Sequence, residues 1–157
     1  GDDYSPESSY AEPVFTAADD AVRQINGSTL KIETVRWLKY RTWVHQTLTV
    51  TAGSTVQFQI MAKAYSSLDS VIVKAGVDPS GAENCYNARW GTEMRINQDS
   101  GTVTLTSPRA VVPIVDEGSS DANHGRVTLC FYAEPAFPHI NNAAFFDEAE
   151  LMVTPPR

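Results

Sequence analysis

LTVTAGSTVQFQIMAKA, residues 48–64, carries the fold in its spacing. Leu48 and Val50 alternate with Thr47 and Thr49. Ala52-Gly53-Ser54 turns the chain, and Val56, Phe58, Ile60 and Ala62 then alternate with Gln57, Gln59, Met61 and Lys63. A period of two puts every second side chain on one face, the signature of half-buried antiparallel strands with a turn between them.

The same pattern recurs outward from this stretch. Leu30 and Ile32 alternate with Lys31 and Glu33. Val73, Ala75 and Val77 form an inward set before a turn at Asp78-Pro79-Ser80-Gly81, and Val103 and Leu105 sit in TVTLT. Val127, Leu129 and Phe131 alternate with Thr128, Cys130 and Tyr132, so Cys130 faces away from the core set. AAFFDEAELMV is the last strand. Pro113 in AVVPIV (110–115) has no N–H to give a ladder, which demotes that run to an edge or bulge. Only AADDAVRQI (17–25) suits a helical turn or two. Roughly eight to ten short strands predict an all-β fold, an antiparallel β-sandwich of jelly-roll type.

The 157 residues fit one domain with a sizeable core. Residues 1–13, GDDYSPESSYAEP, are polar, acidic and broken by Pro6 and Pro13, and are expected to form an extended N-terminal arm. Residues 14–157 are expected to form the single sandwich domain. Twelve Lys and Arg against nineteen Asp and Glu leave a net charge of −7. That balance speaks against nucleic acid, which needs clustered cations, and against anionic membranes. No apolar run approaches the roughly 20 residues of a membrane span. The start at Gly1, without Met or signal peptide, suits a processed chain that is secreted or held at the cell surface.

Two cysteines allow one disulfide, Cys85–Cys130, which an exported chain would hold oxidised. They form no CxxC and no Cys/His cluster, so no zinc or other cofactor is expected. His45, His124 and His139 stand in no HExxH pattern or nucleophile elbow. Ser66, Ser67 and Asp69 are neighbours on a loop and not a triad. The carboxylate pairs Asp19-Asp20, Asp116-Glu117 and Asp147-Glu148 would point to opposite faces on a strand, poor geometry for glycoside chemistry. No enzymatic role is expected.

Rings carry more information. Trp37, Tyr40 and Trp43 crowd WLKYRTW, read as one strand-like stretch. Tyr86 and Trp90 follow the turn at 78–81, and Tyr132, Phe137 and His139 lie near YAEPAFPHI. Rings interleaved with Asn, Gln, Asp and Arg suit sugars, whose apolar faces stack while polar groups bond the hydroxyls. The candidate ligand-binding residues are Trp90, Tyr86, Tyr132, Trp37 and Trp43. If Cys85 bonds Cys130, it pins Tyr86 and Trp90 near Tyr132 on the face opposite the core.

The order of segments resembles a bacterial extracellular carbohydrate-binding-module-like (galactose-binding-like) jelly roll. Gly27-Ser28 with Leu30, the run His45-Gln46-Thr47-Leu48-Thr49-Val50 with Gly53, and Tyr65-Ser66-Ser67 match its middle, which in that family includes a hairpin. Gly76-Val77-Asp78-Pro79-Ser80-Gly81 with Trp90, and Asp147-Glu148-Ala149-Glu150-Leu151, match its later segments. The resemblance implies a non-catalytic module that binds a polysaccharide or glycan. It also makes a structural calcium possible, although the family's opening Glu-bearing strand has no counterpart here.

A rival expectation is structural. A sandwich lacking its usual first strand exposes a sheet edge, and the arm could complete a neighbouring copy by strand addition, giving a homopolymeric filament or sheath.

Overall fold

The protein is described here by a computed structural model, which covers residues 10–18, 24–26, 29–114 and 125–157. Two antiparallel sheets face one another. The six-stranded sheet runs β1 (Val14–Ala17), β2 (Leu30–Leu38), β11 (His139–Thr154), β4 (Thr55–Ser66) and β8 (Val103–Thr106), with β9 (Ala110–Val111) also pairing β4. The five-stranded sheet runs β3 (Thr42–Thr49), β10 (Arg126–Pro135), β5 (Val71–Asp78) and β6 (Arg89–Trp90), with β7 (Met94–Ile96) also pairing β5. Among the described residues the one helical element is a short 3-10 turn, Gln98–Ser100. This is an antiparallel jelly-roll β-sandwich, as the alternation predicts.

The inner faces hold the expected residues. Burial alternates along all of β4, with Val56, Phe58, Ile60, Ala62 and Ala64 inward. They meet Val71, Val73, Ala75 and Val77 of β5 and Val127, Leu129 and Ala133 of β10. Phe131 of β10 and Phe146 of β11 join the sheets, with ring centroids 4.5 Å apart. Each such large side chain contributes about 1.5–3 kcal/mol by leaving water.

Three expectations are corrected. LTVTAGSTVQFQ is strand–turn–strand but not the hairpin of the family pattern, because β3 and β4 belong to opposite sheets. Leu48 and Val50 pack against the same core as Val56 and Phe58 from the facing sheet. Gly53 (φ 85) and the Ser54 N–H to Thr51 O bond (3.1 Å) turn the chain across the sandwich. WLKYRTW is likewise not one strand. It ends β2, crosses between the sheets and begins β3. Tyr40 sits at the crossing with no solvent exposure and donates its hydroxyl to Ile32 O (3.2 Å).

The third concerns the open edge. Val14–Ala17 pairs with β2 in register Val14↔Glu33 to Ala17↔Leu30, so this chain supplies the strand that the assembly expectation assumed missing. The described end of the arm also docks on its own domain. Tyr10 bridges Lys39, and Ala11 N–H donates to Lys39 O (2.9 Å). Arm residues 1–9, the central part of the expected helical turn (19–23), Gly27-Ser28, Asp116-Glu117 and His124 lie outside the described residues.

Candidate functional site

Register decides which side chains share the outer face of the five-stranded sheet. β10 lies between β3 and β5, so its outward residues define rows across three strands. The first row is Thr47, Thr128 and Asp78. The second is His45, Cys130 and Gly76, extended by Trp90 of β6. The third is Trp43, Tyr132 and Lys74. In the fourth, Glu134 lies opposite Ile72, and Ile72 opposite Arg95 of β7.

A loop covers the first row and part of the second. Asp78 starts it: Oδ1 accepts from Ser80 N–H (2.9 Å) and Ser80 Oγ–H (2.6 Å), an Asx turn. Thr128 donates its hydroxyl to Ala82 O, and Cys85 is bonded to Cys130 with Cα atoms 6.0 Å apart. The disulfide therefore lies on the outer face, where the alternation of β10 puts Cys130. Past the bond, Tyr86 N–H donates to Asn84 Oδ1 (3.0 Å), and the Tyr86 ring stands 93 % exposed.

Beyond the staple the rings converge. Gly76 leaves room for Trp90: a Cβ there would lie 2.7 Å from the indole Cε3. Tyr132 lies between Trp43 (centroids 5.3 Å apart) and Trp90 (6.2 Å). Trp43 is 50 % exposed, an unusual position for so large an apolar surface. Trp43, His45, Asn84, Cys85, Tyr86 and Trp90 line a depression of about 430 Å³.

The fourth row is a polar clasp around Glu134. Its carboxylate accepts from the hydroxyls of Tyr132 and Tyr10 and from Arg41 Nε (3.3 Å) and Nη2 (3.4 Å), with Lys39 Nζ 3.9 Å away. Lys39 and Arg41 also sit over the Tyr10 ring, at 4.5 and 5.1 Å from its centroid. Burial alone would raise the Glu134 carboxyl, but the hydrogen bonds from Tyr10, Tyr132 and Arg41 and the Arg41 charge hold it below the usual carboxylate range. Burial, reinforced by the Glu134 carboxylate, pushes the Tyr132 phenol above its ordinary value, so it stays a neutral donor.

Of the five expected binding residues, the structure brings together Trp43, Tyr86, Trp90 and Tyr132. Trp37 lies elsewhere. It sits near the end of β2 in the left-handed region (φ 66), its ring edge-on to His139 at 4.7 Å. His45, Asn84, Lys74 and Glu134 were not among the binding residues expected from the sequence. The outward phase of Lys74 was available in the alternation of Val73, Ala75 and Val77.

The loop serines take different partners. Ser66 Oγ donates to Asn142 Oδ1 (2.8 Å), while Ser67 Oγ lies 2.6 Å from His139 Nδ1. Asp69 accepts from the Ser70 hydroxyl (2.7 Å). Among the described residues no three His, Cys, Asp or Glu side chains gather into a metal-binding group. Asp147 accepts from Asn26 N–H (3.0 Å) and Thr29 Oγ–H (2.8 Å), and Glu148 accepts from Asn26 Nδ2–H (2.6 Å). These bonds tie the Asp147-Glu148 corner to the segment before β2. A bulge between Asp147 and Glu150 also replaces the regular alternation expected there. Among the described residues no helix is long and apolar enough to cross a membrane.

The fold is similar to that of a solved carbohydrate-binding module. The chain superposes on TmCBM61, solved in complex with β-1,4-galactotriose, with a TM-score of 0.61 and 12 % identity over 90 % of this chain and 82 % of that one. A CBM4 module is more distant, with a TM-score of 0.45 and 16 % identity over 80 % of this chain and 84 % of that one. No family model matches the chain. No curated protein matches it either. The chain shares the β-sandwich fold of TmCBM61.

Proposed function

We propose that this protein is a non-catalytic, extracellular module that binds a polysaccharide or cell-surface glycan on the outer face of its five-stranded sheet. The observation that carries this is the convergence of Trp43, Tyr132 and Trp90 from three strands, with Tyr86 held above them by the Cys85 loop. Tilted rings around an open depression offer stacking faces for pyranoses, and Asn84 and His45 supply polar edges. The disulfide supports an oxidising location. Trp37 is left out of this site because it lies against His139.

A glycan array with the wild type, Trp90→Ala and Trp43→Ala tests the proposal. β-1,4-Galactotriose, with which the structurally similar TmCBM61 was solved, is the first ligand to include. Each substitution is expected to weaken binding by about thirtyfold, the loss typical of a central aromatic anchor, with the thermal midpoint little changed. Absence of binding by the wild type across the array would sink it. The self-assembly alternative has no observation in its favour here.

A further inference from the structure

The binding face has a cation at its centre. Lys74 lies directly opposite Tyr132 on the outer face of β5. Its ammonium sits 4.7 Å from the Trp90 ring centroid and 4.8 Å from that of Tyr132, in the cleft between two rings that are themselves 6.2 Å apart. Two π-faces hold the charge in place but do not neutralise it. Among the described residues no carboxylate lies within 4 Å of Nζ. Lys31, Lys39 and Arg41 differ in that each has a glutamate partner. Among the described residues the depression beside Lys74 has no acidic side chain in its lining, and the carboxylate of the next row, Glu134, is taken up by Tyr10, Tyr132 and Arg41. Arg95 shares the face, in register with Ile72. In a chain of net charge −7, a half-buried lysine without an acidic partner in the middle of a ring platform is a specific local choice.

We infer that the platform selects glycans that carry negative charge, with Lys74 as the specificity-determining residue. This deepens the proposed function and rests on it. The sugar ring stacks on Trp90 or Tyr132, and a uronate carboxylate or sulfate ester on that ring or its neighbour meets the ammonium. A neutral sugar satisfies the rings alone, whereas an acidic one adds a charge-assisted hydrogen bond in a site partly shielded from water.

Matched oligosaccharides that differ only in charge make the test. Hexagalacturonate is compared with its full methyl ester, and β-1,4-linked hexamannuronate with mannohexaose. A sulfated galactan set beside its desulfated form separates sulfate from carboxylate. Each is titrated calorimetrically against the wild type, Lys74→Met and Lys74→Arg, at low and high salt. The expected result is that at least one acidic member binds about tenfold or more tighter than its neutral counterpart. The preference shrinks as salt rises, is lost in Lys74→Met and is regained in Lys74→Arg. Neutral members binding as tightly as acidic ones overturn the inference and leave the glycan-binding proposal standing. So does an acid preference that survives Lys74→Met. Equal weakening of neutral and acidic ligands in Lys74→Met would make the lysine a prop for the rings and also overturn it. Binding of no glycan by the wild type overturns both.

Discussion

Two short stretches of this chain carry exposed rings, and they do opposite things with them. WLKYRTW, residues 37–43, sends its three rings to three places: Trp37 against His139 at one end, Tyr40 into the core, and Trp43 onto the outer face. The stretch from Asp78 to Trp90 holds its two rings over a single depression. The difference comes from how the chain is tied. The first stretch crosses between the sheets, so consecutive residues enter different environments. The second is a loop fastened to one sheet face by Asp78, Ala82 and Cys85. Closeness in sequence is a poor guide to closeness in space, and register across neighbouring strands is a good one.

The sharpest way to break the comparison is at Tyr40. Tyr40→Ala empties a fully buried site between the sheets and should destabilise the protein by about 3–5 kcal/mol in urea unfolding. Tyr40→Phe removes only the bond to Ile32 O and should lose about 1 kcal/mol. A ratio near one between the two would mean that the hydroxyl, and not packing, holds the crossing.

Removing the staple comes next. Cys85→Ala with Cys130→Ala should lower stability by about 2–4 kcal/mol, because the bond closes a long loop in the unfolded chain. The sheets should persist, since the bond lies on the outer face. Amide exchange should rise in residues 79–88 and stay slow in β4. Global collapse of protection would show that the loop carries more of the fold than its position indicates.

Gly76→Ala attacks the seat of Trp90 directly. The new methyl group would meet the indole at 2.7 Å, so the ring must move. Overpacking of this kind should destabilise by about 1–3 kcal/mol and change the near-ultraviolet circular dichroism.

The clasp at the foot of the platform predicts a smaller, pH-dependent effect. Glu134 is held below its ordinary range in the folded state. Its contribution is therefore fully present above the unfolded-state pKa and is lost as pH falls through the lowered folded-state value. The amount should be less than about 1 kcal/mol after solvent screening, and Glu134→Gln should abolish that part of the acid-limb slope. An unchanged slope would place the acid sensitivity at another carboxylate. Smallest of all, Trp37→Ala should change stability by about 0.5 kcal/mol or less and leave glycan binding at the platform unaltered. A loss of binding there would undo the separation between the two stretches.

Much of this was legible in the sequence because alternation reports the face of a strand. Val56, Phe58, Ile60 and Ala62 point inward as their period requires, and Cys130 and Tyr132 point outward for the same reason. The turn at Asp78-Pro79-Ser80-Gly81 was legible from its residue types. Alternation is silent about which sheet a strand joins, so the crossing at Ala52-Gly53 read as a hairpin. The corner at Lys39-Tyr40-Arg41 lacks Gly, Pro, Asn and Asp, and so gave no turn signal. Val14–Ala17 was missed because all four residues are exposed and no burial rhythm marks the strand. Trp43, Tyr86, Trp90 and Tyr132 were picked as rings, but their company with Lys74 and His45 needed the register.

The order of strands also bears on how the protein is made. β11 lies between β2 and β4, and β10 between β3 and β5, so the middle of each sheet is filled by the last two strands of the chain. Until residues 126–154 have left the ribosome, β2 and β4 have no common neighbour, and neither do β3 and β5. Each sheet must therefore be completed after most of the chain has been synthesised, and both close at nearly the same moment. During that interval β3 waits without a partner and β2, β4 and β5 each keep an open edge, the situation in which a nascent chain most needs a holdase.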